Sequence, residues 1–259
     1  MPRSVWDGSI SFGLVNIPVK IYPATHSQGL TLHYLCKHCK TPLEYKKWCP
    51  KCQKEIPWKG VIRGYKISKD KWIVISPKDL EKIKLKTTKT IDIKAFVRVS
   101  DIDPVYYEKT YYVVPQDTGI KAYSLFVEAL RLTGRAALGK IVMRNKEYLV
   151  ALRHYKRGIA MHILYYTGEI QNIDELPELK HLMSISKEEL RLAEALISQL
   201  SRHPKFEEFR DRYTEALKEL IQAKLEKRKF KLQEEPEEKG KELLEALRLS
   251  VERAKKGRK

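Results

Sequence analysis

What this sequence lacks narrows it quickly. No stretch approaches the about 18 consecutive apolar residues of a membrane-spanning helix, and no apolar run follows a basic start at the N-terminus. The expected protein is therefore cytoplasmic, with no membrane span. Cysteine is scarce, with four in 259 residues. A chain of this length buries enough core to do without disulfides, and in a reducing compartment clustered cysteines read as metal or redox chemistry. Catalytic signatures are missing as well. There is no GxxxxGKS or GxxxxGKT, no GxGxxG after a strand, no GxSxG and no HExxH. Their absence removes the phosphate-cradling, dinucleotide-binding, nucleophile-elbow and metalloprotease chemistries that those spacings serve. Asp101-Ile102-Asp103-Pro104 gathers two carboxylates, the start of a metal-dependent nuclease site. No third acid or histidine adjoins them, and the string reads as a turn. Asparagine (three) and methionine (four) are few while lysine and glutamate are abundant, a mix that resembles a thermophile's.

Acidic charge is the other deficit. Lys and Arg number 51 against 33 Asp and Glu, a net charge of +18. The excess is local: 20 bases to 7 acids in residues 1–100, 11 to 10 in 101–180, and 20 to 16 in 181–259. A last cluster is Lys255-Lys256-Gly257-Arg258-Lys259. A localised basic surface is the footprint of a polyanionic partner, nucleic acid first and an anionic membrane second.

Periodicity divides the chain in two. The first 170 residues read mostly as strand. Ile10, Phe12 and Leu14 alternate, then the phase shifts to Val15, Ile17, Val19 and Ile21 beside Gly13, which predicts a β-bulge or sharp bend there. Ile91, Ile93, Ala95, Val97 and Val99 alternate over nine residues. Further strands are expected at 31–35, 60–67, 72–76, 105–114, 139–153 (one or two) and 159–166, in the short, evenly punctuated pattern of a barrel or sandwich. One helix interrupts them, with Ala122, Tyr123, Phe126, Ala129 and Leu130 on a face and Gly134 as its stop. From Ser186-Lys187-Glu188-Glu189, a capping box, a helix runs to about Leu200, and His203-Pro204 breaks it. A second helix is expected from Phe206, with Phe206, Phe209, Tyr213, Leu217 and Leu220 as its stripe. Residues 232–240 read as a solvated linker, and Leu243, Leu244, Leu247 and Val251 as a third amphipathic segment before the basic end. This gives a β-rich core over 1–185 and a helical region over 186–259.

The strongest chemical signal is Cys36-Lys37-His38-Cys39 followed, nine residues on, by Cys49-Pro50-Lys51-Cys52. Two CxxC pairs at this spacing match a four-thiolate cage for structural zinc, with a two-residue spacer that aims backbone N–H groups at the sulfurs. A redox pair would sit at a strand-to-helix turn, and nothing helical follows here. Tyr34, Tyr45, Trp48 and Trp58 interleave with Lys37, Lys40, Lys46, Lys47, Lys51, Lys54 and Lys59. Lysine neutralises phosphate without reading bases, and arginine is scarce in this stretch, so sequence-independent backbone binding is expected. Arg144, Lys146, Arg153, Lys156 and Arg157 form a second basic group.

Three separated segments then carry a resemblance. They are Trp6-x-Gly8-Ser9-Ile10-Ser11-Phe12-Gly13-Leu14-Val15-Asn16-Ile17-Pro18-Val19-Lys20-Ile21-Tyr22, Asp101-Ile102-Asp103-Pro104-Val105-Tyr106-Tyr107-Glu108-Lys109 through Pro115, and Gly139-Lys140-Ile141-Val142-Met143-Arg144-Asn145-Lys146-Glu147-Tyr148-Leu149. In order and spacing, up to about residue 215, they resemble the prokaryotic Ku proteins of DNA end joining. The resemblance implies a mainly β fold with α: a Ku-type β-barrel core, arch or bridge insertions and a helical C-terminal region. It implies a homodimeric, non-enzymatic ring around double-stranded DNA ends, nucleoid-associated, that recruits an ATP-dependent end-joining ligase/polymerase for double-strand break repair. The cysteine segment, about 33–60, falls where the family inserts into its barrel. Expected DNA contacts are Lys20, Lys37, Lys40, Lys46, Lys47, Lys51, Lys109, Arg144, Arg153, Lys156 and Arg157. Expected partner contacts are Leu190, Leu196, Phe206, Phe209, Tyr213 and Leu217. Zn(2+), held by Cys36, Cys39, Cys49 and Cys52, rests on spacing alone. The competing readings are a zinc-ribbon protein bound to RNA or the ribosome, and a nuclease built on Asp101 and Asp103.

Overall fold

A closed seven-strand barrel holds the core of the protein. The computed structural model describes residues 3–26, 29–69, 71–83 and 89–230; the expected linker, third amphipathic segment and basic end lie outside the described residues. The chain divides into two units, Met1–Ser27 with His33–Gln171, and Gln28–Leu32 with Asn172–Lys259. The division thus falls at Gln171 rather than at the start of the C-terminal helices.

In chain order the first unit contains β1 (Trp6–Phe12), β2 (Val15–Pro23), β3 (Trp48–Cys49), β4 (Lys54–Glu55), β5 (Arg63–Ser68), β6 (Lys71–Ile75), α1 (Pro77–Lys82), β7 (Thr90–Arg98), β8 (Tyr107–Pro115), α2 (Ile120–Thr133), β9 (Arg135–Met143), β10 (Lys146–Tyr155) and β11 (Gly158–Leu164). The barrel runs β1-β2-β8-β11-β10-β9-β7 and closes on itself. Strands that alternate in direction cannot close a ring of odd number, so one neighbouring pair must be parallel. That pair is β1 and β7, in the register Ser9↔Thr90, Ile10↔Ile91 and Ser11↔Asp92.

Alternation sends one side chain of each pair inward. Ile10, Ile17, Val19, Ile21, Ile91, Val113, Ile141, Val150, Leu152, Ile159 and Met161 fill the interior and are almost wholly buried. Each contributes about 1.5–3 kcal/mol of burial. From α2, Tyr123, Phe126 and Leu130 join this core. Phe126 stacks on Phe12 at 5.0 Å, and Phe96 meets both edge-on. Gly134, at φ +61°, ends α2 in the left-handed region that glycine enters without strain. Gly139 allows the close approach of β9 to β7: a Cβ there would stand 2.6 Å from the Asp92 carbonyl oxygen.

The structure decides between some expectations and changes others. The phase shift beside Gly13 is a two-residue hairpin turn, with Phe12 opposite Val15 and Gly13 at φ +57°. No strand occupies 31–35; only an isolated Leu35↔Pro42 bridge forms there. The even alternation of 91–99 breaks at a bulge between Ile93 and Ala95, which leaves Ala95 exposed and turns Phe96 toward the aromatic cluster. The 139–153 stretch is two strands, β9 and β10, joined at Arg144 and Asn145, both in left-handed conformations (φ +50° and +65°).

The second unit holds α3 (Lys187–Leu200) and α4 (Arg212–Leu225). Ser186 and Glu189 form the expected capping box. The helix expected from Phe206 starts instead at Arg212, capped by Asp211, whose side chain accepts from the Thr214 N–H. Phe206–Glu208 is a single 3-10 turn. The stripe through Phe206, Phe209, Tyr213, Leu217 and Leu220 is therefore not one helix face.

One side chain ties α2 to two strands. The Tyr123 hydroxyl donates to the Val113 carbonyl at 2.6 Å and accepts from the Ile159 N–H at 3.1 Å. Tyr123→Phe leaves both groups buried and unpaired, and we expect a loss of about 1–3 kcal/mol in chemical denaturation. Unchanged stability would show that these bonds do not tie α2 to the strands.

Candidate functional site

Basic side chains concentrate on three features of the first unit. The first is the cysteine segment, where the chain makes the same turn twice. Lys40 N–H donates to the Cys36 carbonyl, Cys36 N–H to the Thr41 carbonyl, and Lys40 sits at φ +59° directly after Cys39. In the second turn β3 and β4 pair Trp48 with Glu55 and Cys49 with Lys54. The Cys52 N–H points at the Cys49 sulfur at 3.5 Å, and Gln53 sits at φ +47° directly after Cys52. Each CxxC thus forms a knuckle closed by a left-handed residue.

Hydrogen bonds from Thr41 and then Cys36 lower the Cys39 thiol to about 7, and bonds from Cys52 lower Cys49. Sharing with Cys49 raises Cys52. All four thiols are free. Among the described residues no three potential metal ligands stand together, so the cysteines form two pairs.

The lysines of this segment are not equivalent. Lys46 pairs with Glu55 at 3.1 Å, Lys47 lies over the Trp58 ring, and Lys40 donates to the Lys37 carbonyl. Lys37 and Lys51 are exposed. An exposed ion pair such as Lys46–Glu55 contributes little stability, so its lysine is easily released to a phosphate.

The second feature is the exposed β5–β6 ribbon, which the sequence marks only as strand. Every residue of β5 is exposed. Arg63, Lys66 and Lys71 alternate along it with Tyr65 and Trp72, and the Lys66 ammonium stands 5.8 Å from the Trp72 ring. The available signal was charge at every second or third position in 63–71. A two-stranded ribbon with two open edges is marginal on its own and suits a role against a partner.

The third feature is the barrel. Lys20 is exposed on β2 across from Asp7, and Lys109 on β8 stands 5.5 Å from the Tyr111 ring. The second basic group is split. Arg144 lies in the β9–β10 turn and does not share a strand face with Lys146, whose ammonium stands 5.1 Å from the Tyr148 ring. Arg153, Lys156 and Arg157 gather at the opposite end of β10, roughly 30 Å away at ~3.3 Å per residue. Lys156 and Arg157 form the β10–β11 turn, with Lys156 at φ +51°.

Around Arg153 the wall is built rather than merely charged. His162, 7% exposed, accepts from the Arg153 Nε–H at its Nε2 at 2.9 Å. Its Nδ1 is 2.9 Å from the Thr110 hydroxyl and so carries the proton. The edge of Tyr107 packs on the imidazole. Burial, and then the Arg153 charge, push His162 down to about 4.

The two acids of the nuclease reading are occupied. Asp101 is bound by the Arg98 guanidinium, and Asp103 caps the turn that follows it by accepting from the Val105 N–H. An apolar recess of about 620 Å³ between β1, β7 and α2, lined by Phe12, Phe96, Leu125 and Phe126, has Arg135 as its one charge.

In the second unit Leu190 is exposed and Leu196 half-buried on α3, while Tyr213 and the half-buried Leu217 lie on α4. Phe206 and Phe209 are exposed outside either helix.

A family profile described as the Ku70/Ku80 beta-barrel domain matches residues 11–192. A protein of Archaeoglobus fulgidus, named non-homologous end joining protein Ku, is 43% identical over 253 residues, covering 98% of this chain and 100% of that one. Proteins of the same name from Symbiobacterium thermophilum (39%, 97% of this chain, 63% of that one) and Bacillus subtilis (34%, 98% and 83%) are also similar.

The buried imidazole gives a pH dependence. Free in the unfolded chain, a histidine titrates near 6.5; folded, His162 titrates at about 4. As pH falls through that window the unfolded chain takes up a proton that the folded one refuses, so stability drops, by up to about 3 kcal/mol. His162→Gln should lose less stability than wild type between pH 6.5 and 4.5 in urea denaturation. Equal losses would contradict a neutral buried His162.

Proposed function

The chain belongs to the Ku family, and from that premise we propose that it binds the ends of double-stranded DNA as a ring of two identical subunits, without reading base sequence, in non-homologous end joining. The observation that carries this reading is the match to a relative of that name over 98% of this chain and all of that one. The charge supports it. A lysine-rich, net +18 surface supplies affinity through counterion release, which does not depend on base sequence. A ring needs no base contacts, because encirclement provides retention and phosphate contacts provide register. The insertion between β2 and β7, with its exposed β5–β6 ribbon and lysine-rich cysteine turns, supplies the arch in this reading. The role is structural and non-enzymatic.

In the same reading the four cysteines hold one zinc ion. The donor type suits it, since four thiols are soft ligands and in each pair the turn is already set by a left-handed residue after the second cysteine, and the two pairs would have to close together on the ion. Cys36, Cys39, Cys49 and Cys52 would hold the ion, which would stiffen the insertion and take no part in chemistry. The C-terminal helices, with Leu190, Leu196, Tyr213 and Leu217 on α3 and α4 and Phe206 and Phe209 between them, are the surface for an ATP-dependent end-joining ligase.

Three measurements test these statements. The protein should load on linear duplex DNA and fail to load on relaxed closed circles of the same sequence, and it should run as a dimer in light scattering; equal retention on both DNAs would sink the reading. Elemental analysis should find one zinc per chain, absent from Cys49→Ser/Cys52→Ser; a wild-type preparation without metal would refute the site. Deleting residues 186–259 should spare DNA loading and abolish ligase stimulation. Loss of DNA loading would instead make the helices part of the ring.

A further inference from the structure

The outer wall of the barrel carries a hollow that its register explains. Arg153, Ala160 and Tyr112 stand side by side on β10, β11 and β8. In the next row stand Ala151, His162 and Thr110. The small alanine between Arg153 and Tyr112 leaves a recess of about 220 Å³, lined also by Thr25, Thr110, Tyr155 and His162. No acid lines it, and its one charge is Arg153.

Arg153 is half-buried, and among the described residues no carboxylate pairs with it. Its Nε–H is taken by His162 and one Nη1–H by the His154 carbonyl at 3.3 Å. The remaining N–H groups of the planar fork have no partner among the described residues. A half-buried cation without a counter-ion is costly, and structures keep one where an anion completes it. A carboxylate beside the guanidinium would orient it equally well but would cancel its charge. His162 orients it as an uncharged acceptor, and Thr110 fixes the imidazole tautomer. The Tyr155 ring lies 5.5 Å from the guanidinium carbon and 5.6 Å from the Lys156 ammonium, and stacks on Tyr112. The hydroxyls of Thr25, Thr110, Tyr112 and Tyr155 are further donors around the recess.

We propose that this recess is a seat for one phosphate group, with Arg153 as its donor and His162 as the residue that positions it. A guanidinium fork matches two phosphate oxygens at once, which a lysine cannot do. The source we assign, a backbone phosphate of bound DNA, rests on the Ku reading above; a free phosphate ion would present the same oxygens. Other lysines of the surface contribute flexible charge. This seat fixes where one phosphate sits, and with it the lateral position of the duplex on the barrel.

The test uses the full-length protein and a 30-base-pair blunt duplex, with binding followed by fluorescence anisotropy across a salt series. Arg153→Gln should weaken binding roughly five- to tenfold and lower the slope of log K against log salt by about one. His162→Leu leaves the guanidinium without its acceptor and should weaken binding by a similar factor. His162→Gln restores an acceptor and should return affinity to within about twofold of wild type, a rescue that general loss of packing would not give. Thermal melts confirm that each variant is folded. In parallel, calorimetry in chloride buffer titrates inorganic phosphate into wild type and Arg153→Gln. Phosphate binding lost in the variant while its DNA affinity stays at wild type supports the seat with free phosphate as its source. Wild-type DNA affinity and slope in Arg153→Gln, with no phosphate binding in either protein, overturns it. Failure of the Ku reading looks different: wild type itself would bind linear and closed circular DNA alike.

Discussion

The seam between β1 and β7 is the contact on which the barrel depends. Their pairing spans three residue pairs, the shortest junction in the ring, and it joins strands separated by the whole insertion. If it opens, β1 and β7 become free edges and the aliphatic interior meets water. The seam is held from inside by Ile10 and Ile91, which are fully buried, and beside it by the Phe12–Phe126–Phe96 cluster. Long-range closure of this kind is entropically expensive and is recovered only when the interior packs. The insertion can therefore vary in length and chemistry provided that its ends return to this register.

A full interior also decides where charge goes. Because Ile, Val, Leu and Met dominate the inward positions, with Tyr111 and Tyr148 beside them, the charged side chains of the strands face outward or sit near a strand end. The outer wall between β8, β10 and β11 is where this is most organised, since Arg153 and His162 occupy neighbouring outward positions on paired strands. The cysteine turns and the β5–β6 ribbon differ in kind. They have little core of their own, and their aromatics are largely exposed.

Much of this was legible in the sequence. Strand periodicity located most barrel strands, Tyr123, Phe126 and Leu130 identified the inner face of α2, and Ser186 with Glu189 marked the start of α3. Local patterns failed where pairing decides the outcome. The phase shift at Gly13 reads equally as a bulge or a sharp bend until Val15 is known to lie opposite Phe12. The bulge after Ile93 is invisible because both sides of it are β-prone. Phe206 and Phe209 keep helical spacing to Tyr213, but Asp211 is the better cap and starts the helix later. Arg153 was singled out for its charge alone. Its acceptor His162, and the Thr110 that holds that imidazole, are brought together by strand register, which no local window contains. Charge at 63–71 was visible but was read as strand, because the exposure of both faces of the ribbon is a property of the fold.

In the proposed function DNA is retained by encirclement and not by charge alone. The most direct measurement loads the protein on a linear duplex, then blocks both ends with streptavidin and washes at high salt. Salt screens phosphate contacts but cannot open a closed ring. A ring should stay on the capped duplex and leave the uncapped one. Equal loss from both would mean that the positive surface merely adheres to DNA.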